Sequence, residues 1–289
     1  MSRPLLRKMT FLGLSENPES AKIVFLPAPY DATTSFYPGT RFGPRRIIEA
    51  SPYLEFYDEE TDCEVYQKAP FLTLPEEELP IAPQNMLEEL KRRLKPYLER
   101  NMFPVVLGGE HTVSLAPIEI LAEKHPGLCV VQIDAHADLR ESYQGSPYSH
   151  ACTMRRALEY GIELFPIGIR AISREEMEFV RDKGLEIFWA KDVVFKPHSI
   201  AQKISQRIGS RSVYVTIDLD GFDPSEVPGV GTPEPGGLKW YDALVILKEL
   251  AGLNVVGFDV VELLPADNRS PFFAAKLIYK FLSYLFCRI

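Results

Sequence analysis

Short apolar segments rich in β-branched and aromatic residues alternate with amphipathic segments along most of the chain. Such segments, with little alternation of polar and apolar side chains, are typical of strands covered on both faces. The seven segments of this kind are 23–26, 105–107, 129–133, 165–169, 187–189, 213–217 and 255–258. Between them, 86–98 and 240–250 repeat their apolar residues with the 3.6-residue period of a helix. The alternation predicts an α/β fold with helices on both faces of a parallel sheet.

The length of 289 residues and a hydrophobic content of 46% allow a full core without disulfides or structural metals. Neither an internal repeat nor a long linker divides the chain, so we predict a single domain over residues 1–289. The acidic, proline-containing segment 59–84 interrupts the alternation and is predicted to be an excursion loop.

The net charge of −8 disfavours nucleic acids and anionic membranes as partners, but it suits small cations. We expect no membrane-spanning helix, because no run of 18 apolar residues occurs. The basic segment 1–8 is not followed by an apolar core of the secretory type. The cysteines are scattered and form no CxxC motif, which predicts free thiols and a cytoplasmic protein. They are Cys63, Cys129, Cys152 and Cys287.

Polar side chains follow four of the predicted strands, at the point where each strand ends. Ligands of parallel α/β sheets bind beyond the carboxyl ends of the strands. The candidate residues there are His111, Asp134, His136, Asp138, Asp218, Asp220 and Glu262. Alternate residues of an extended chain point the same way. The side chains of Asp134, His136 and Asp138 should therefore point in one direction, and so should those of Asp218 and Asp220. We therefore expect five carboxylates and two imidazoles at one edge of the sheet.

Clustered carboxylates repel one another unless a cation neutralises them. Carboxylates with a few imidazoles suit Mn²⁺, with Zn²⁺, Co²⁺ or Fe²⁺ as alternatives. The candidates are too many for one tetrahedral ion, so two ions roughly 3.5–4 Å apart fit better.

Each of these motifs alone also has a structural interpretation, since an Asp-x-Asp at a strand end is more often a turn or a helix cap. Their coincidence after successive strands favours the metal site. Segment 218–224 does not fit a calcium loop, because Phe222 stands at its fifth position and glycine falls at 221. Asp223 is predicted to be a turn residue before Pro224 rather than a ligand.

Three motifs resemble the signatures of the ureohydrolase family, which contains the arginases and agmatinases. They are Gly-Gly-Glu-His at 108–111, Asp-Ala-His-Ala-Asp at 134–138 and Asp-Leu-Asp-Gly-Phe-Asp-Pro at 218–224. The resemblance extends from segment 27–31 to segment 262–265. It implies a three-layer α/β/α fold around a mainly parallel eight-stranded sheet. It also implies two Mn²⁺ per chain, hydrolysis of a guanidinium group to urea, and assembly as a homotrimer or homohexamer.

The resemblance also implies how the ligands divide between two ions. One ion would be held by His111, Asp134, Asp138 and Asp218. The other would be held by Asp134, His136, Asp218 and Asp220. Asp134 and Asp218 would then bridge the pair, and such ions lower the pKa of a bound water molecule toward about 7.

Two further residues carry catalytic roles by the same resemblance. Glu262 would hold the guanidinium of the substrate, since a carboxylate accepts a bidentate fork from that group. His150, in the segment after the strand that precedes Asp134, would carry a proton to the leaving amine.

Agmatine is the substrate that the sequence favours within the family. The Asp-x-Asp with which arginases hold the amino group of the substrate is absent, because Ala-Ile-Ser follows at 171–173. The Asn-containing arginase loop is also missing from 139–143, whereas segments 30–36 and 149–156 resemble agmatinases. A small cationic guanidino compound is thus the expected partner, cleaved to putrescine and urea in polyamine biosynthesis.

The sequence leaves other functions open. Aminopropylagmatine, guanidinobutyrate or arginine would present the same guanidinium to the site. A related deacetylase of acetylated polyamines uses one zinc ion, and the ligands His136 and Asp220 for a second ion argue against it. A non-catalytic polyamine-binding protein would not need the full set of ligands.

Overall fold

The computed structural model describes residues 9–287, so the basic segment 1–8 lies outside the described residues. Eight strands form one sheet with the order β2-β1-β3-β8-β7-β4-β5-β6. The strands are β1 (Ile23–Ala28), β2 (Phe71–Thr73), β3 (Phe103–Gly108), β4 (Cys129–Ile133), β5 (Glu163–Ile169), β6 (Phe188–Trp189), β7 (Ser212–Asp218) and β8 (Asn254–Val261). All neighbouring strands are parallel, as the sequence predicted.

The α-helices cover both faces of the sheet. They are α1 (Gly43–Ala50), α2 (Val65–Lys68), α3 (Pro83–Glu99), α4 (Leu115–Lys124), α5 (Thr153–Ala157), α6 (Arg174–Lys183), α7 (Ala190–Val193), α8 (Pro197–Ile208), α9 (Trp240–Leu250) and α10 (Arg269–Phe286). Apolar side chains of α1, α8, α9 and α10 form one buried cluster with one face of the sheet. Those of α3, α4, α5 and α6 form a second cluster on the opposite face.

Alternate residues of β3 show the division between these two clusters. Val105 and Leu107 belong to the first cluster and Val106 to the second, as expected where both faces of a strand are buried. The architecture is therefore the predicted three-layer α/β/α arrangement.

The prediction of an excursion loop over 59–84 was only partly right. The short helix α2 and the strand β2 lie inside this segment, and β2 pairs with β1 at the edge of the sheet. A strand of three residues in an acidic, proline-containing segment is too short to show a recognisable pattern.

The prediction of free thiols was wrong for two of the four cysteines. Cys63 and Cys287 form a disulfide with a Cα–Cα distance of 6.2 Å, while Cys129 and Cys152 are buried free thiols. The bonded pair is separated by 224 positions, so no spacing in the sequence pointed to it. The prediction of a cytoplasmic location therefore loses the support that free thiols gave it.

Ion pairs beside the disulfide hold the last helix to the turn that precedes Cys63. Nζ of Lys280, on α10, lies 2.9 Å from Asp58 Oδ2 and 3.0 Å from Glu60 Oε1. The hydroxyl of Tyr284 also donates to Glu60 over 2.8 Å. Lys280 and Asp58 are both buried, and the ion pair between them supplies the partner that each buried charge requires.

No helix within residues 9–287 combines the length and apolar character needed to cross a membrane.

Candidate metal centre and substrate pocket

The seven candidate residues lie at the carboxyl ends of four neighbouring strands, β3, β8, β7 and β4. His111 begins a 3-10 helix (His111–Ser114) shortly after β3, and Asp134 directly follows β4. Asp218 is the last residue of β7, and Glu262 directly follows β8. The order of the strands thus brings together residues that lie up to 151 positions apart in the chain.

The first group of potential ligands surrounds the Nδ1 atom of His111. This nitrogen lies 3.1 Å from Asp134 Oδ2, 2.9 Å from Asp138 Oδ2 and 3.4 Å from Asp218 Oδ2. His111 is 1% exposed, and its Nδ1 has no hydrogen-bond partner within the described part of the chain. A buried nitrogen facing three carboxylates fits a cation-binding site.

The tautomer of His111 is set on the other side of the ring. Thr216 Oγ1 donates to Asp259 Oδ1 over 2.6 Å, so it is left to accept the Nε2–H of His111 at 2.8 Å. In the neutral imidazole the lone pair is then on Nδ1, facing the carboxylates. Hydrogen bonds of this kind orient metal-binding histidines and fix their tautomer.

The second group of potential ligands consists of Asp134, His136 and Asp220, whose ligand atoms lie within 4.8 Å of one another. His136 Nδ1 is 2.9 Å from Asp220 Oδ2 and 3.8 Å from Asp134 Oδ1. Asp134 therefore presents Oδ2 to the first group and Oδ1 to the second. This is the arrangement that a carboxylate bridging two ions requires.

The pKa values in the cluster show how strongly it attracts positive charge. Burial, followed by repulsion from Asp220 and Asp138, raises the pKa of Asp134 to about 7. Burial lowers the pKa of His136, but attraction to Asp220 outweighs it and raises this pKa to about 10. Burial likewise acts against protonation of His111, yet the neighbouring carboxylates of Asp134 and Asp138 hold its pKa well above the usual value. Without a cation, the cluster retains protons instead.

Two glycines allow the backbone segments of the site to approach each other. A Cβ on Gly109 would lie 1.9 Å from the carbonyl oxygen of Tyr30, and one on Gly221 would lie 2.9 Å from the backbone nitrogen of Asp134. The first contact explains the glycine directly before Glu110. The second explains the glycine that follows Asp220.

Backbone strain occurs at two of the candidate residues. Asp138 has φ 53° and Glu262 has φ 63°, in the left-handed region that non-glycine residues rarely adopt. Such a conformation costs on the order of 1–3 kcal/mol and is often found at functional sites. The fold therefore tolerates an unfavourable backbone at these two carboxylates.

A pocket of about 380 Å³ opens onto the second group of ligands. Glu262 and His150 both line it, together with Asp218, Asp220 and other residues. Glu262 Oε1 accepts the backbone N–H of His111 over 2.8 Å, which fixes the carboxylate beside the first ligand group. The structure thus brings all eight sequence-predicted site residues to one pocket and the cluster beneath it.

Several residues that support the site were not recognised in the sequence. Gln132 Nε2 donates to Asp134 Oδ2 over 2.8 Å. The guanidinium of Arg170 donates to the carbonyl oxygens of Asp220 and Glu234, over 2.6 and 2.8 Å. Their positions just before the Asp134 motif and at the end of β5 were visible, but nothing in the sequence indicated these contacts.

Asp223 has the turn role that was predicted for it. Its Oδ1 accepts from the backbone N–H and hydroxyl of Ser225, and its Oδ2 accepts from the backbone of Gly236. These hydrogen bonds, first those from Ser225, lower the pKa of Asp223 to about 2.

The sequence profile described as "Arginase family" matches residues 21–283. An N(1)-aminopropylagmatine ureohydrolase of Synechocystis sp. is 41% identical over 274 residues, which cover 91% of this chain and 89% of that protein. An agmatinase of Halalkalibacterium halodurans is 37% identical over 280 residues, 94% of this chain and 95% of that protein. The solved structure of proclavaminate amidino hydrolase from Streptomyces clavuligerus has a TM-score of 0.90 and 28% identity, and covers 97% of each chain. With this coverage and the hydrolase names of its relatives, the chain belongs to the arginase family and is a hydrolase that acts on a guanidino C–N bond.

Proposed function

We propose that this enzyme hydrolyses the guanidinium group of agmatine to give putrescine and urea, with two Mn²⁺ bound at the carboxyl ends of the central strands. The observation that carries the proposal is the unpartnered Nδ1 of His111, which faces three carboxylate oxygens within 3.4 Å. The chemistry of this donor set, with carboxylates in the majority, suits Mn²⁺.

In the proposed site, each ligand group holds one ion, and Asp134 and Asp218 contribute to both. The opposite directions of the two Asp134 oxygens, toward His111 and toward His136, support this role. Once bound, the two ions lower the pKa of a water molecule enough to make it a nucleophile at neutral pH.

Glu262 is proposed to bind the guanidinium of the substrate. It lines the pocket, and its position is fixed by the hydrogen bond from the backbone of His111. A carboxylate accepts two parallel N–H bonds from a guanidinium, which orients the group as well as binding it. Glu262→Gln should therefore weaken both binding and turnover, because it loses this charge-assisted fork.

His150 is proposed to give a proton to the amine that leaves. Its imidazole lines the same pocket, with Nε2 3.4 Å from Ser35 Oγ and the ring centroid 6.0 Å from that of Tyr143. A histidine half-exposed at the wall of the pocket can both meet the departing nitrogen and exchange its proton with solvent.

The lining of the pocket supports a substrate without an α-carboxylate. Ala171 and Ile172 stand in the wall where arginases are expected to hold the amino acid head. The guanidinium of Arg140, which also lines the pocket, packs over the ring of Tyr143 and lies 4.0 Å from Glu176. A carboxylate desolvated against this wall would lose several kcal/mol, so agmatine should be preferred over arginine by at least about 10²-fold.

Aminopropylagmatine is the second candidate substrate. The relative with 41% identity carries that name, and the pocket is open to solvent along the exposed segment that contains Phe36 and Tyr37. An open end would accommodate a substrate extended beyond the distal amine.

We propose that the active form is a homotrimer or homohexamer, which light scattering of the purified protein would test.

Urea release from a panel of guanidino compounds tests the proposal. The panel contains agmatine, aminopropylagmatine, guanidinobutyrate and arginine, each assayed with Mn²⁺ after removal of other metals. Agmatine or its aminopropyl derivative should give the highest kcat/KM, and exhaustive chelation should abolish the activity. Asp223→Asn is the matched control, because it removes a carboxylate on the same segment as Asp218 and Asp220 without touching the ligands. A Mn²⁺-loaded protein that releases urea from none of the four compounds would overturn the proposal.

A further inference from the structure

Glu110 is a completely buried carboxylate that lies outside the two ligand groups and does not line the pocket. Its Oε2 accepts the backbone N–H of Thr33 over 2.7 Å, and its Oε1 accepts the Thr33 hydroxyl over 2.6 Å. Thr112 Oγ1 donates to Oε1 as well, over 2.9 Å. Glu110 thus fixes both the backbone and the side chain of Thr33 from inside the protein.

The same hydroxyl of Thr33 contacts His150. Since its hydrogen is donated to Glu110, the oxygen is left as an acceptor, and it accepts the backbone N–H of His150 over 3.0 Å. It also lies 3.4 Å from the ring nitrogen Nδ1 of His150. A single oxygen atom therefore links the buried carboxylate to both the backbone and the ring of the histidine.

Two other side chains lie within hydrogen-bonding distance of the His150 ring. Ser149 Oγ lies 3.3 Å from Nδ1, and Ser35 Oγ lies 3.4 Å from Nε2. Ser35 is itself exposed and belongs to the same segment as Thr33. Thr33 differs from both serines, because its hydroxyl also accepts the backbone N–H of His150 and is itself held by the buried carboxylate of Glu110.

We propose that Thr33, held by Glu110, is a positioning residue that places His150 for proton transfer. This inference rests on the proposed role of His150 and extends it to the residue that controls its position. Displacing a catalytic group by about 1 Å can cost on the order of 10²-fold in rate. The loss should appear in kcat rather than in KM, because Glu262 and the metal site bind the guanidinium.

The test compares substitutions that differ only in the hydroxyl. Thr33→Val keeps the shape of the side chain but removes the hydroxyl, and we expect kcat for agmatine to fall roughly 10–10²-fold with KM changed by less than about threefold. Thr33→Ser keeps the hydroxyl and should retain most of the activity. Thr33→Ala is a second hydroxyl-free variant in case valine impairs folding. Thr61→Val is the matched control, because the Thr61 hydroxyl also donates to a buried carboxylate, that of Asp58, outside the pocket.

A double-substitution cycle with His150→Asn separates positioning from general stabilisation. If Thr33 acts through His150, adding Thr33→Val to His150→Asn should cause no further loss of kcat. An equal loss in both backgrounds, an active Thr33→Val enzyme, or failure of Thr33→Ser to restore kcat would each overturn the inference. Failure of the proposed function looks different, since the unmodified enzyme would then release no urea or His150→Asn would be fully active. Metal content and thermal unfolding of each variant show whether the centre and the fold are intact.

Discussion

Without metal, the stability of this protein should fall as pH rises from 5 to 7, which is opposite to the usual effect of carboxylates. Burial and the neighbouring carboxylates raise the pKa of Asp134 from its usual value of 3.8 to about 7 in the folded, metal-free protein, so between these values the folded state binds a proton that the unfolded state has lost. Stability therefore falls as pH rises through this window, by about 1.36 kcal/mol per pH unit. From pH 5 to pH 7 this carboxyl alone lowers the free energy of unfolding by about 2 kcal/mol, because it is already half ionised in the folded state at pH 7. His136, with its pKa raised to about 10 from 6.5, extends the loss to higher pH, because the stability it contributes is complete below 6.5 and disappears as pH rises toward 10.

Urea unfolding of chelator-treated protein at pH 5, 6, 7 and 8 measures this effect. Asp134→Asn should remove the part of the fall in unfolding free energy between pH 5 and 7 that Asp134 causes. Asp223→Asn should leave this fall unchanged, since the pKa of Asp223 is lowered to about 2. Added Mn²⁺ should stabilise the folded state most at the higher pH values, where the carboxylates are no longer neutralised by protons. A metal-free protein whose stability stays level or rises from pH 5 to pH 7 would refute the reasoning.

Three further outcomes follow from the site and the fold. Asp218→Asn should remove most of the bound metal while Asp223→Asn should not, and metal analysis that finds nearly two ions per chain in Asp218→Asn would exclude a bridging role. His150→Asn should lower kcat by roughly 10²–10⁴-fold with metal content intact, as steady-state kinetics would show, and full activity would exclude the proton transfer. Replacing Cys63 and Cys287 by alanine should lower the free energy of unfolding by up to about 5 kcal/mol, which is the loop-closure value for a separation of 224 residues. Denaturant unfolding would measure this loss, and an unchanged midpoint would contradict a stabilising disulfide.

The sequence predicted the layers and the grouping of the site residues because both depend on a local pattern. Strands β3, β4 and β7 are largely apolar, and the first charged or imidazole side chain stands at the end of each strand or just beyond it. In a parallel sheet these ends meet at one edge, so Asp134 and Asp218 could be placed together before their distances were known. The roles assigned to these residues stay predictions.

What the sequence did not predict depends on contacts between distant segments. Strand β2 is three residues long and is defined by its pairing with β1 rather than by its own composition. The bond between Cys63 and Cys287 joins two distant segments that ion pairs of Lys280 also hold together. Glu110 was visible in the Gly-Gly-Glu-His motif, yet its link to Thr33 joins residues that are 77 positions apart.

The position of β8 in the sheet determines when the metal centre can be assembled. This strand pairs with β3 on one side and with β7 on the other, and so joins β2-β1-β3 to β7-β4-β5-β6. His111 belongs to the first of these halves and Asp134 to the second. During synthesis both halves emerge from the ribosome before residues 254–261 do, and no pairing joins them until then. We therefore expect the proposed metal binding to be a late step of folding, because β8 is the strand that pairs with both halves of the sheet.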